Sequence, residues 1–256
     1  MVLAALLSFA SSFAFAKAPL ATFGSATNLL PSLPFNFTIL DWNIYKGGKA
    51  GMAGDFAVIS RDADVAVLQE AYETPELVRD LATANQQLSW SLVQGFKYKG
   101  HFTGVATGSR VSALHAEGFL TNVHEPLLNS PKTMLLTVYP LANSLDALAV
   151  LNVHGINFVL NSKYRKQVEQ MIAILKNHRG PILVVGDFNT WNNGRMESLD
   201  EGFATIGLRR LKISNQAEAK LDHAYVRGLE ATDAILLEQI KSSDHKPIVL
   251  KLQSAH

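Results

Sequence analysis

Cysteine is missing from all 256 residues. Its absence excludes disulfide frameworks, zinc fingers, iron–sulfur centres and thiol nucleophiles, so any metal site must be built from oxygen and imidazole ligands. An excess of one charge is missing too. The 23 Lys and Arg residues stand against 22 Asp and Glu, a net charge of +1. No global attraction to nucleic acid or to an anionic membrane follows from that balance, although a local basic groove is compatible with it. The chain also lacks repeats, low-complexity tracts and charge runs. With 48% hydrophobic and 18% charged residues, it has the composition of a soluble, well-packed globule, and at this length one α/β domain is the economical reading.

The first 16 residues, MVLAALLSFASSFAFA, are apolar and uncharged. They end in Ala14-Phe15-Ala16, the small-x-small form of a signal-peptidase site, and are too short to span a bilayer comfortably. The usual positively charged start is lacking. Export to the periplasm or the medium is the expectation, with a cytoplasmic chain, a misassigned start or a truncated membrane anchor as the alternatives. Residues 17–35 carry three prolines and no charge after Lys17, and read as a linker or wrapping segment ahead of a domain over 36–256.

From there strand-like and helix-like stretches alternate. Short apolar runs cover Phe35 to Ile44, Asp64 to Gln69, Met134 to Leu141, Leu148 to Val153, Pro181 to Gly186, Leu221 to Val226 and Pro247 to Leu252. Several are apolar on both faces, which predicts strands covered by helices on one side and by another sheet on the other. Ser162 to His178 has one apolar face made of Tyr164, Val168, Met171, Ile172 and Leu175. Asn161 or Ser162 is its expected cap, and Gly180 and Pro181 its stop. A second helix is expected from Pro75 through Leu81.

Polar residues gather where the apolar runs end: Asp41 and Asn43, Gln69 and Glu70, His154, Asp187 and Asn189. Side chains at i and i+2 of a strand share a face, so Asp187 and Asn189 are expected to point the same way, with Phe188 opposite. Taken singly, each has an ordinary alternative, since Asx residues at strand ends form turns and a lone histidine is commonly a hydrogen-bonded core residue.

As a set, WNIYKG with Asn43, VLQE with Glu70, NVH with His154, VVGDFNT with Asp187 and Asn189, LDHAYV with Asp222, and SSDHKPI with Asp244 and His245 resemble the endonuclease/exonuclease/phosphatase superfamily. The resemblance spans about residues 36 to 252 with the motifs in the proper order. It implies a DNase I-like four-layer α/β sandwich, with two central mixed β-sheets flanked by helices. It also implies divalent-metal-dependent hydrolysis of phosphoesters with Mg²⁺ or Mn²⁺. Glu70 would be the principal metal ligand, with Asn43 and Asp244 completing the shell. Asp187 would orient or deprotonate the attacking water, and Asn189 would steady the phosphate oxygens. His245, held by Asp222, would contact the scissile phosphate, and His154 would serve the phosphate or the leaving group.

Hard cations prefer carboxylate, amide and water oxygens. A carboxylate can accept a proton from metal-acidified water, and an imidazole oriented by a carboxylate can donate to the developing charge. Arg110, in Gly104-Val-Ala-Thr-Gly-Ser109-Arg110, is a candidate phosphate contact and equally a solvated surface charge. Lys46 is a candidate phosphate contact and equally a loop charge. Trp42 alternates away from Asn43 and belongs in the core. Trp191, just after the GDFNT loop, is the better aromatic candidate for substrate contact. The segment Lys97-Tyr98-Lys99-Gly100-His101 is a small basic-aromatic patch. The leading expectation is a phosphodiesterase acting on nucleic acid, with no stable protein partner and as a monomer. A phospholipid or phosphoinositide phosphoesterase on the same site and a catalytically idle binding module are the alternatives.

Overall fold

A computed structural model of the chain describes residues 15–24, 26, 28–126, 129–215 and 221–254. Most of the expected export signal, residues 1–14, lies outside them. Among the described residues, fifteen strands and four α-helices form two facing sheets.

The first sheet runs in the order β1 (Lys17–Ala18), β8 (His115–His124), β9 (Pro131–Pro140), β10 (Ala147–His154), β11 (Ile182–Asp187), β13 (Asp222–Arg227) and β12 (Arg209–Arg210). The second runs β14 (Leu229–Leu236), β15 (Ile248–Ser254), β3 (Asn36–Asn43), β4 (Val65–Tyr72), β7 (His101–Ser109), β5 (Ser89–Val93) and β2 (Leu20–Phe23), with β6 (Phe96–Tyr98) hairpinned onto β7. Each sheet has one parallel pair at its heart, β10 with β11 and β3 with β4, while the other pairings are antiparallel. Both sheets are therefore mixed.

A parallel pair needs a crossover, and helices supply both. Helix α1 (Met52–Ile59) joins β3 to β4, and α3 (Asn161–Leu175) joins β10 to β11. Helix α2 (Pro75–Ala84) packs with α1 outside the second sheet, and α4 (Asn193–Ala204) packs with α3 outside the first. The four-layer sandwich expected from the sequence is the fold observed.

Strand alternation sorts the apolar residues into three large cores, beside a fourth, small cluster of Ala18, Val93, Val105 and Leu135. Ile39, Val65, Val67, Val150, Leu183, Val185, Val226 and Ile248 fill the space between the sheets. Leu40, Trp42 and Leu68 turn the other way, onto Met52, Phe56, Leu77 and Leu81 of α1 and α2. Leu151, Val153 and Val184 meet Tyr164, Val168, Met171 and Phe203 of α3 and α4. The strands are apolar on both faces because both faces are covered.

Helix α2 begins as expected at Pro75, with the Thr74 hydroxyl accepting from the Leu77 N–H at 3.2 Å. Helix α3 departs from expectation at its start. Leu160 is the residue before its first turn and no side chain caps it; Asn161 instead accepts from the Asn192 amide at 3.2 Å. Its buried face also takes Ile174, whereas Ile172 is only partly covered. Residues 17–23 pair as edge strands, β1 on the first sheet and β2 on the second. Phe15 packs edge-on against Phe119 with ring centres 6.4 Å apart.

Candidate active site

The apolar inner faces turn polar at one end. Continuing the alternation that places Ile39, Val67, Val150, Val185 and Ala224 inside leads to Asp41 and Asn43 on β3, Gln69 on β4, Asn152 and His154 on β10, Asp187 on β11 and Asp222 on β13. All of these are buried. The two parallel pairs emerge at the same end, so their inward side chains meet across the sandwich. The Asn43 amide donates to Asp187 Oδ2 at 3.0 Å, and the Gln69 amide donates to Asn152 Oδ1 at 3.0 Å.

Glu70 breaks the alternation. Its position should face outward beside Leu68, but the register slips between Leu68 and Ala71 and Glu70 adopts a φ of 54°. The bulge re-aims the side chain toward the cleft. There its carboxylate pairs with Lys46 and lies 3.9 Å from His154 Nε2. Lys46 follows β3 in a short 3₁₀ turn, itself at a φ of 58°.

Asp187 sits at the centre. Its Oδ2 lies 3.6 Å from His154 Nε2 and 3.8 Å from His245 Nε2, while its Oδ1 accepts from the Asn189 N–H at 2.9 Å. Burial, then the neighbouring Asp222, raise its pKa from 3.8 to about 7 against the pull of His245. His245 precedes β15, and its Nδ1 lies 2.8 and 3.0 Å from the two carboxylate oxygens of Asp222. Burial works against the imidazolium, but the hydrogen bond and charge of Asp222, followed by Asp187 and Asp244, outweigh it and raise the pKa to about 10. His154 goes the other way. Burial, then Lys132, His245 and Lys46, hold it well below the ordinary histidine range. The site thus keeps one histidine charged and the other neutral at pH 7.

Beneath these residues lies a buried polar floor of Asp41, Gln69 and Asn152, to which the sequence reading gave no role. Gln69 donates to Asp41 Oδ1 at 2.8 Å, and Asn152 donates to the carbonyls of Leu68 and Ala106. Asp41 is pushed well above the usual carboxylate range, first by burial and then by Asp222. The signal was available: a polar residue every second position inside an apolar run.

Arg195 was missed as well. It is fully buried on α4 and donates to the carbonyls of Ile156, Val159 and Asn189, tying the loop after β10 to the loop after β11. Asn189 itself has a φ of 52° and donates to the Gly155 carbonyl at 2.9 Å.

Arg110 is not at this site. It bonds and ion-pairs with Asp64, which precedes β4, at the far end of that strand from Glu70. Six strand residues separate the two ends, about 20 Å. Asp244 is exposed and accepts from the Ser243 hydroxyl at 3.3 Å. Trp42 is core, as expected, and its indole N–H donates to the His245 carbonyl at 3.1 Å. Lys46, Glu70, Phe96, Lys132 and His154 line a cleft, and the buried Asp187 lies behind its His154, 3.6 Å from Nε2.

The sequence profile of the Endonuclease/Exonuclease/phosphatase family matches residues 42–245, from Trp42 through His245. The chain belongs to that family. Its members are metal-dependent phosphoester hydrolases. A UPF0294 protein of Yersinia enterocolitica is 34% identical over 230 residues, covering 88% of this chain and 86% of that protein. Among solved structures, an endonuclease/exonuclease/phosphatase from Bacteroides vulgatus superposes with a TM-score of 0.66 at 14% identity, covering 86% of this chain and 99% of that one. Sphingomyelinase C from Streptomyces griseocarneus superposes at 0.61 with 16% identity, covering 84% and 99%. These likenesses concern the DNase I-like fold.

The metal-ligand set expected by resemblance, Asn43, Glu70 and Asp244, differs from the tightest acid–imidazole group among the described residues. That group is Asp187, Asp222 and His245, with ligand atoms within 4.8 Å of one another. A proton already joins His245 to Asp222, and a cation between them would have to displace it. Glu70, partly buried at the cleft and paired with Lys46, lies outside that group.

Proposed function

We propose that this family member hydrolyses phosphodiester bonds, with nucleic acid as the substrate class, by attack of water on the phosphate in the cleft beside Glu70, Asp187 and His245. The observation that carries the reading is geometric: His245, held at Nδ1 by both carboxylate oxygens of Asp222, brings its Nε2 to 3.8 Å from Asp187 Oδ2.

A hard divalent cation fits the residues present. The donors are oxygen and imidazole alone, and the bulge at Glu70 turns its carboxylate into the cleft, where it already pairs with a cation, the Lys46 ammonium. Glu70 would hold the cation, with Asn43 and Asp244 completing the shell directly or through water. Bound Mg²⁺ or Mn²⁺ neutralises non-bridging phosphate oxygens and acidifies water.

The remaining steps fall to the protein. With a pKa of about 7, Asp187 is matched to accepting a proton from the attacking water near neutral pH. Asn43 fixes the orientation of that carboxylate through its amide. His245 presents a charged N–H, aimed by Asp222, to the phosphate oxygens where negative charge builds. Neutral His154 hydrogen-bonds the phosphate or the leaving group without adding charge. Lys46 and Lys132, on the rim of the cleft, supply positive charge to an anionic substrate. Export before folding is proposed with this activity, on the strength of the apolar leader.

A second reading, a phospholipid phosphoesterase, draws on one observation. Phe158 and Leu160 stand exposed on the loop that leaves His154. The deciding experiment is a panel of plasmid DNA, RNA, sphingomyelin and inositol phosphates, each with Mg²⁺, with Mn²⁺ and with chelator. Metal-dependent cleavage of DNA or RNA supports the nuclease. Cleavage of lipid alone overturns it, and hydrolysis of nothing points to an idle binding module.

A further inference from the structure

Trp191 is the outlier among three tryptophans. Trp42 and Trp90 are each 1% exposed, whereas Trp191 is 53% exposed. An exposed indole is usually mobile, but this one is clamped. Its N–H donates to Asn157 Oδ1 at 3.0 Å, and the guanidinium of Arg195 lies 4.5 Å from its ring centre. Arg195 in turn stacks on Tyr164 at 4.6 Å, and is fixed by its three backbone carbonyl acceptors. One face of the indole is thus backed by a rigid cation–aromatic stack, and the ring presents its remaining surface to solvent.

The platform borders the site. Trp191 is two residues past Asn189, so their backbones lie within about 7 Å. Asn157, which holds it, is three residues past His154. The geometry points to Trp191 as a pre-formed stacking platform for one nucleobase of the substrate, next to the phosphate being cleaved. This deepens the nucleic-acid reading above and rests on it.

Two features favour a base over a lipid surface. A tryptophan that anchors at a membrane interface keeps its polar N–H for the headgroup region, whereas here the N–H is already taken by Asn157 Oδ1. Holding the ring rigid lowers the ordering cost of face-to-face contact, which benefits a flat partner most. Every base has a π-face, so such a platform is sequence-tolerant, with a flanking base unstacked from its neighbours and laid on the indole.

The test uses the whole protein in chelator, so that nothing is turned over. Because the other two tryptophans are buried, quenching of intrinsic fluorescence reads Trp191. A single-stranded deoxythymidine oligonucleotide is compared with an abasic oligonucleotide of equal length and charge. The proposal expects quenching by the first and little by the second and, by fluorescence polarisation of end-labelled oligonucleotides, about tenfold or greater loss of affinity for the first alone in Trp191→Ala, partly restored in Trp191→Phe.

Equal quenching and affinity for both oligonucleotides, or quenching only by phosphatidylcholine vesicles or a sugar phosphate, overturns the platform. Should wild-type protein with metal cleave DNA or RNA while Trp191→Ala binds them unchanged, the platform falls and the nuclease reading stands. Base-dependent quenching without hydrolysis of any nucleic acid supports the platform and sinks the nuclease reading.

Discussion

Asp222 holds His245 through both carboxylate oxygens, at 2.8 and 3.0 Å from Nδ1. The pair sets the charge on the imidazole and leaves Nε2 directed toward Asp187. In Asp222→Asn the largest stabilising influence on that charge is lost, and the alkaline limb of the rate profile should fall from about pH 10 toward the ordinary 6.5. The rate near neutral pH should drop about 10²-fold or more. A pH–rate profile of the two proteins checks this.

The same pair has a stability consequence with a definite sign. His245 has a folded-state pKa of about 10 against an ordinary 6.5. Its contribution is therefore complete below about pH 6.5 and is lost as pH rises through about 10. Asp187 acts oppositely on charge but in the same direction with pH. Its raised value means that ionising it costs the native state stability as pH climbs from about 4 through about 7. Asp187→Asn should be inactive, yet on the order of 1–2 kcal/mol more stable than wild type in metal-free buffer at pH 8. Chemical denaturation at pH 5 and pH 8 measures it, and a destabilised variant would contradict the burial argument.

Lys46 pairs with Glu70, and a cation taken up by that carboxylate must displace the ammonium. Removing the competitor in Lys46→Met should tighten Mn²⁺ binding several-fold by calorimetric titration. It should also weaken binding of an anionic substrate, because the cleft loses a positive charge. Unchanged metal affinity would place the cation elsewhere.

Gly155 joins the two loops of the site. A Cβ there would meet the Phe188 carbonyl oxygen at 2.4 Å and its carbon at 2.5 Å. These are backbone atoms that cannot rotate away. Gly155→Ala should part the loops after β10 and β11, lowering stability by about 1–3 kcal/mol and activity by more than the stability loss explains. Thermal melts alongside kcat measurements separate the two.

The legible part of this protein was its alternation. Polar residues at the ends of apolar runs drew attention to Asn43, His154 and Asp187, the family motifs assembled them with Asp222 into one set, and the two-sided apolar runs pointed to the layered sandwich. What alternation could not show were the places where the backbone leaves the regular strand. Glu70 by parity faces outward, and only a bulge with positive φ brings it in. Asn189 lies past the end of β11 with a left-handed φ, so its sharing a face with Asp187 is not a property of a strand. Arg110 reads as a phosphate contact in sequence, yet antiparallel pairing carries it to the opposite end of the sheet, beside Asp64. Arg195 was invisible because its partners are backbone carbonyls, which no side-chain pattern announces.

Glu70, Asp187 and His245 are proposed to serve a single metal-dependent hydrolytic site. The most direct measurement is the cleavage rate of single-stranded DNA with Mn²⁺ and with chelator, for wild type, Glu70→Gln, Asp187→Asn and His245→Gln, each checked for native folding. Cleavage should be abolished by chelator, and each folded variant should be slowed at least about 10²-fold. Near-wild-type turnover by any of the three, or cleavage undiminished by chelator, would contradict the proposal.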